Sequence, residues 1–277
     1  MGGKIVPLTD FQKTVLHILS QNRNPESYVA GGILLNQAVD TPRFSDDVVV
    51  FHDLAESVAS SARVDALALT TLGYSVEWTS QEPFIYRAVI QKSGHILRLD
   101  WLFDSAFRFF PIERNPETGF CLNFWDAAVN KVLALAGRSE PRDFVDTVYL
   151  HQKGFSLGTL CWAAAGKDPG MTPELVLGET SRNARFNQEQ IDSLQLSTPL
   201  SIQSLKQTWI EARHQAEALI QNLPLDEVGC LYLEHNGQPV TPDPLNNGFP
   251  SLHRHFGAIK GAWPIINRPK MPENLKG

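Results

Sequence analysis

Two adjacent glycines, set between an apolar segment and a helix-then-strand pattern that opens on aspartate, constrain this chain more than any other feature. The segment runs from Tyr28 to Asp53, YVAGGILLNQAVDTPRFSDDVVVFHD. Apolar Tyr28, Val29 and Ala30 reach Gly31-Gly32, and a helical run is expected from there through Ala38. A polar turn carrying Arg43 and Ser45 follows, and Asp47 opens a β-branched run that ends at Phe51. Asp53 is expected to begin the next helix. Alternate strand side chains share a face, so Asp47 and position 49 point the same way, while Asp46 points to the other face unless a bulge intervenes. Position 49 is Val. Two carboxylates two residues apart on a strand can hold Mg²⁺ against a nucleotide's phosphates. The segment therefore reads as a phosphate and metal site with one acid missing.

Around it the periodicity predicts a layered fold. Thr9 to Gln21 has apolar Phe11, Val15, Ile18 and Leu19 at helical spacing, with Thr9 or Asp10 as the cap. Asp53 to Leu72 is again helical and Gly73 ends it. Three strand-like runs follow, Tyr74 to Thr79, Tyr86 to Gln91 and His95 to Phe103, with Lys92-Ser93-Gly94 as the hairpin turn between the last two. This order predicts an α+β fold, a small mixed sheet with helices on one face followed by a largely helical C-terminal region. The third run holds Asp100 inside apolar neighbours, and a carboxylate in a buried strand needs a cation or hydrogen bonds to offset its desolvation. Arg98 is one structural partner for it, and a metal is the other. Asp104, near the strand end, reads as a turn or cap residue.

The second half is helical in character. Asn123 to Gly137 places Trp125, Val129, Val132, Leu133 and Ala136 on one side, and a second helix runs from Asp143 to Gln152 with Pro141 near its start. Lys131 can project its ammonium across a cleft toward phosphate. Asp143 is expected to cap its helix, and Arg142 either binds phosphate or pairs with Asp146 one turn on. Ser156 to Lys167, Pro173 to Gly178 and Ser201 to Leu223 are further helical stretches. His253 and His255 have no carboxylate at a familiar metal-ligand spacing.

Composition sets outer limits. A chain of 277 residues suffices for one large domain or two smaller ones. Its net charge of −6 supplies no overall field toward nucleic acid, so a polynucleotide partner needs a local basic patch. Cys121, Cys161 and Cys230 are widely spaced and read as reduced core thiols. No secretory leader and no apolar run of the roughly 20 residues that span a bilayer is evident. The expectation is a cytoplasmic location with no membrane partner.

These residues together resemble the AbiEii-like nucleotidyltransferase toxins, within the superfamily that shares its fold with DNA polymerase beta. The resemblance is carried by Gly31-Gly32, by Ser45 and Asp47 where the family has Ser-x-Asp-x-Asp, by Asp100 as the later carboxylate, and by an ordered helical unit. That unit comprises Asp126, Ala127, Asn130 and Lys131, then Arg138, Arg142, Asp143 and Asp146. It covers roughly Phe11 to Leu150 and implies a nucleotidyltransferase-like core over 1–110, with a helical domain over 111–277 that completes the nucleotide cleft and could bind a target or partner. The activity implied is transfer of a nucleoside monophosphate from an NTP to an acceptor hydroxyl, RNA such as tRNA being one acceptor class. Mg²⁺ or Mn²⁺ is the implied metal, and a toxin-antitoxin or phage-defence system with a cognate antitoxin is the implied setting. Asp47, Asp100, Lys131 and Asp143 would be catalytic, with Asp47 and Asp100 holding metal. Gly31, Gly32, Ser45, Lys131 and Arg142 would bind nucleotide. Val49 stands where the family has its second Asp. A catalytically silent binding protein of the same fold is therefore the alternative, and a small hydroxylated acceptor is a further one.

Overall fold

The computed structural model describes residues 8–36 and 40–265. The first helix, α1 (Asp10–Ser20), is started by Thr9. Its hydroxyl accepts from Gln12 N at 3.1 Å, and the Gln12 side-chain Oε1 accepts from Thr9 N at 3.0 Å. Both ends of this capping box satisfy amides that the helix itself leaves free. There follow β1 (Ser27–Ala30), α2 (Gly32–Leu35), β2 (Asp47–His52) and α3 (Ala55–Thr71). The hairpin β3 (Ser75–Glu82), β4 (Ile85–Lys92) and β5 (His95–Phe103) comes next. The β4–β5 turn uses positive φ at Ser93 and Gly94, the geometry of a two-residue hairpin turn. Short strands β6 (Phe107–Arg108), β7 (Glu113–Asn115) and β8 (Gly119–Cys121) lead into α4 (Phe124–Gly137) and α5 (Pro141–Gln152).

Seven strands form one mixed sheet in the order β3-β4-β5-β2-β1-β8-β7. The sheet is larger than the alternating runs alone predict, because β1, β7 and β8 carry no such pattern. All four residues of β1 are buried, so it shows no alternation of apolar and polar positions. β7 and β8 are three residues each, too short for a period to appear. Alternation in β2 and β5 divides the sheet into two faces. Val48, Val50, Leu99 and Trp101 are fully buried, and Trp101 Nε1 reaches Asp65 of α3 at 2.7 Å. Asp47, Val49 and Phe51 with Asp100 and Leu102 line a cleft on the opposite face.

Beyond α5 come α6 (Leu157–Lys167), α7 (Pro173–Asn183), α8 (Gln188–Asp192) and α9 (Ile202–Asn222). The stretch expected to end at Gly178 continues to Asn183, where Nδ2 donates to the last carbonyls of α4, Leu135 O and Ala136 O, at 2.9 and 2.8 Å. A ribbon of β9 (Cys230–Leu233) and β10 (His253–Phe256) follows, and β11 (Ala258–Ile259) pairs with β6. His255 is buried with Nε2 2.8 Å from Phe109 O, which explains its burial without a metal. The three cysteines are free and buried. No described helix is long and apolar enough to cross a membrane.

Candidate functional site

The cleft begins at the glycine pair. Gly31 caps α2 at φ +79°, a conformation that L side chains rarely adopt. A Cβ on Gly32 would lie 2.9 Å from Arg43 Nη2 and 3.2 Å from Ser45 Oγ, so the turn is pressed against both side chains. α2 ends at Leu35, and Ala38, the expected end of that helix, lies outside the described residues. A Cβ on Gly31 would sit 3.4 Å from Val49 Cγ2. The backbone therefore closes on the apolar side chain that occupies position 49.

Strand register sets what stands beside what. β2 and β5 are parallel, with Asp47 opposite Arg98 and Val49 opposite Asp100, and β4 places Arg87 opposite Asp100. Arg98 Nη2 donates to Asp47 Oδ2 at 2.6 Å, and Arg142 Nη1 donates to the same oxygen at 3.0 Å. Ser45 Oγ donates to Asp47 Oδ1 at 3.2 Å. Burial pushes the Asp47 carboxyl up, but these donors and the two guanidinium charges outweigh it and hold the group below the usual range. Asp100 goes the other way. Burial raises its pKa against Arg87 and Arg98, whose nearest approaches are 3.5 and 3.8 Å. Asp100 Oδ1 is buried without a hydrogen-bond partner among the described residues. Arg98 is thus a partner of Asp100, as expected, but its short bond goes to Asp47.

The opposite wall comes from α4 and α5. Lys131 Nζ donates to Asp143 Oδ1 at 2.7 Å and lies 3.0 Å from Asp146 Oδ2. Arg138 Nε takes the other Asp143 oxygen at 2.8 Å. Arg43 reaches across from the glycine turn to clasp Asp146 with Nε at 2.8 Å and Nη2 at 2.6 Å. Burial pushes Asp143 and Asp146 up, yet Lys131 with Arg138 and Lys131 with Arg43 hold them well below the usual range. Two expectations are corrected here. Asp143 does not cap α5, because the cap residue is Glu140 and the Asp143 side chain turns inward to Lys131 and Arg138. Arg142 does not pair with Asp146 one turn along the helix; buried Arg43 and Lys131 claim that carboxylate, and Arg142 turns to Asp47. Asp126 is buried and ties Phe109 N and Phe110 N at 2.9 Å each, with Lys167 Nζ at 2.6 Å, while Asn130 accepts from Lys167 at 2.9 Å.

The result is a cleft of about 190 Å³ lined by Gly31, Gly32, Asp47, Val49 and Asp100 on one side and Lys131, Arg138 and Arg142 on the other. Five cationic side chains, Arg43, Arg87, Lys131, Arg138 and Arg142, line it against two carboxylates. A larger groove of about 640 Å³ between α5, α9 and residues 241–245 holds no comparable cluster. Arg87, which lines the cleft, and Arg98, which contacts both of its carboxylates, are the residues that sequence reasoning passed over as site residues. Strand alternation places Arg98 on the face of Asp100, and hairpin register places Arg87 beside it, so the signal was there.

The donor set does not fit a two-metal centre. Among the described residues no group of three or more His, Cys, Asp or Glu could hold a metal ion. One of the two carboxylates on the sheet is committed to two guanidinium groups, and Val49 offers no oxygen between them. A divalent cation at Asp47 would have to displace both arginines and accept a short ligand count.

No family model matches the sequence, and no curated protein matches it. Among solved structures, the chain is similar to MenT4, a nucleotidyltransferase toxin from Mycobacterium tuberculosis H37Rv, at 15% identity over 78% of this chain and 83% of that one, with a TM-score of 0.53. JHP933 from Helicobacter pylori aligns at 16% identity over 78% of this chain and 93% of its own, with a TM-score of 0.48. Taken with the seven-stranded sheet and its cleft, the likeness to MenT4 shows that this chain has the nucleotidyltransferase fold.

Proposed function

We propose that the cleft binds a nucleoside triphosphate and that the chain moves its nucleoside monophosphate to an acceptor hydroxyl. The observation that carries this is the opposition of Asp100, with an unpartnered buried oxygen, to a wall of cationic side chains across one cleft on this fold. Asp100 Oδ1 would accept the proton of the acceptor hydroxyl, whose oxygen then attacks the α-phosphorus. The bond from that phosphorus to the bridging oxygen breaks, and pyrophosphate leaves. Arg87, Arg98 and Arg142 would take up the charge that develops on the phosphate oxygens. Lys131 and Arg43, each held by buried Asp143 or Asp146, would set the rigid floor beneath them.

The remaining roles follow from the resemblance. Gly31, Gly32 and Ser45 would let the phosphates approach the backbone, and residues 111–277 would complete the cleft through α4 and α5. An RNA such as tRNA as acceptor and a toxin setting with a cognate antitoxin belong to this proposal too, whereas the Mg²⁺ or Mn²⁺ that the resemblance implies does not, because Asp47 is held by two arginines and position 49 is Val. MenT4 is a nucleotidyltransferase toxin, which supports the setting. A second reading, a catalytically silent nucleotide-binding or protein-interaction member of the fold, is favoured by Val49 alone.

Label transfer from each α-labelled NTP to total bacterial RNA decides between them. Transfer by the unaltered chain that is lost in Asp100→Asn is expected on the first reading. Transfer only by Val49→Asp establishes the second. Transfer by none of the three, with the fold intact, removes the enzyme from consideration.

A further inference from the structure

The cationic side chains that line the cleft or contact its two carboxylates fall into two kinds. Arg43 spends its whole fork inside the protein, on Asp146 and on Phe44 O at 2.8 Å, and Lys131 is shared between two buried carboxylates. The other kind is under-used. Arg142 makes one hydrogen bond, to Asp47, and its Nε is buried without a partner among the described residues. Arg87 approaches Asp100 no closer than 3.5 Å, and Arg98 has one short bond while 42% of its side chain is exposed. Guanidinium groups with donors to spare, held against low-dielectric walls, are suited to bidentate contact with phosphate.

These under-used groups surround the place where the donor set fails to fit a metal. Arg98 and Arg142 both sit on Asp47, and Arg87 and Arg98 flank Asp100 next to Val49. A carboxylate at position 49 would stand between them and add a second negative charge to the sheet wall. With Val there, the positive charge that a phosphate chain meets comes from the arginines. The volume agrees with a phosphate chain as the group recognised. About 190 Å³ is less than the roughly 300–1,000 Å³ that encloses most of a drug-sized ligand, so base and sugar lie outside it.

We infer that this cleft binds the phosphate chain of a nucleoside triphosphate without a divalent cation, Arg87, Arg98 and Arg142 supplying the positive charge at Asp47 and Asp100. The inference rests on the nucleotide-binding reading above and names how that site takes its ligand. Free Mg²⁺ then competes with the arginines for the same phosphate oxygens instead of assisting them.

The test is calorimetric titration of the full chain with inorganic tripolyphosphate and with ATP, GTP, CTP and UTP, once in excess EDTA and once in saturating Mg²⁺. Affinity in EDTA is expected to equal or exceed that in Mg²⁺. Arg98→Gln and Arg142→Gln should each weaken binding in EDTA roughly tenfold, the loss of one charge-assisted hydrogen bond. Arg87→Gln, at a half-exposed position that comes no closer than 3.5 Å to Asp100, serves as the variant with least bearing on folding and should weaken it severalfold. Val49→Asp should reverse the order, with weak binding in EDTA restored by Mg²⁺. Binding by the unaltered chain only in Mg²⁺ overturns the inference and leaves the nucleotide-binding reading standing, and a Val49→Asp chain indifferent to EDTA also overturns it. Failure of every probe in both buffers, with the circular dichroism spectrum intact, overturns the inference and the reading together.

Discussion

The two faces of the sheet use the same chemistry, arginine against aspartate, to opposite ends. On the helix-covered face Arg23 and Asp65 are fully buried at 2.6 Å. Every remaining demand there is met, since Asn22 and Trp101 donate to Asp65 at 2.8 and 2.7 Å and Arg23 also donates to Ser27 Oγ and Leu19 O. On the cleft face Asp47 draws two arginines to one oxygen, while among the described residues a buried oxygen of Asp100 and the buried Nε of Arg142 have no partner. A saturated pair fixes helices to a sheet. An unsaturated one holds binding capacity in reserve for a ligand that brings the missing acceptors.

Removing one member of the saturated pair should therefore cost most. Arg23→Met strands Asp65 as an unpaired buried carboxylate, and a loss of about 3–5 kcal/mol of unfolding free energy is expected. Urea denaturation followed by circular dichroism measures it. A loss below about 1 kcal/mol would mean that the pair adds nothing beyond packing, and the contrast between the faces would collapse.

The Arg43–Asp146–Lys131 cluster stands between these extremes, buried like the first pair yet forming the cleft floor. Asp146→Asn keeps the shape but leaves two cations with one carboxylate fewer, and about 2–3 kcal/mol is expected from the same measurement. The wild-type pH dependence gives an independent check. Asp143 and Asp146 have folded pKa values below the ordinary 3.8, so the unfolded chain binds protons first as pH falls. Their contribution is complete above that value and is lost as pH drops through the lower folded pKa. Asp146→Asn should flatten the acid limb of the stability profile, and an unchanged limb would show that this carboxylate is not what holds α5 to the glycine turn.

Much of this was legible in the chain. Strand alternation put Asp47 and position 49 on one face, the family resemblance made Val49 the odd residue there, and helical spacing located α4, α5 and α9. The buried strand β1 escaped because its four residues carry no polar alternation. The partners of the charged residues also escaped, for a different physical reason. Sequence spacing offers i, i+4 neighbours, and by that rule Arg142 belonged to Asp146. In the folded chain buried carboxylates recruit whichever cation can be desolvated with them, and Arg43, 103 residues away in sequence, wins that competition. Arg142 is thereby released to Asp47, 95 residues away. Long-range pairing of this kind is written into no local window.

The smallest stability change is expected from that released residue. Arg142→Gln removes one of the two guanidinium groups on Asp47 but leaves Arg98 at 2.6 Å and Ser45 at 3.2 Å in place. It also removes a buried Nε that has no acceptor, which offsets part of the loss. With a quarter of the Arg142 side chain open to solvent, screening reduces what the ion pair contributes. A change of no more than about 1 kcal/mol in either direction is expected without ligand. Adding tripolyphosphate should then separate the two proteins, since a ligand stabilises in proportion to its affinity and the variant binds it less tightly. A variant that loses several kcal/mol without ligand would place Arg142 among the structural arginines of the other face. Its unpartnered Nε would then be a cost of folding, with no bearing on what the cleft holds.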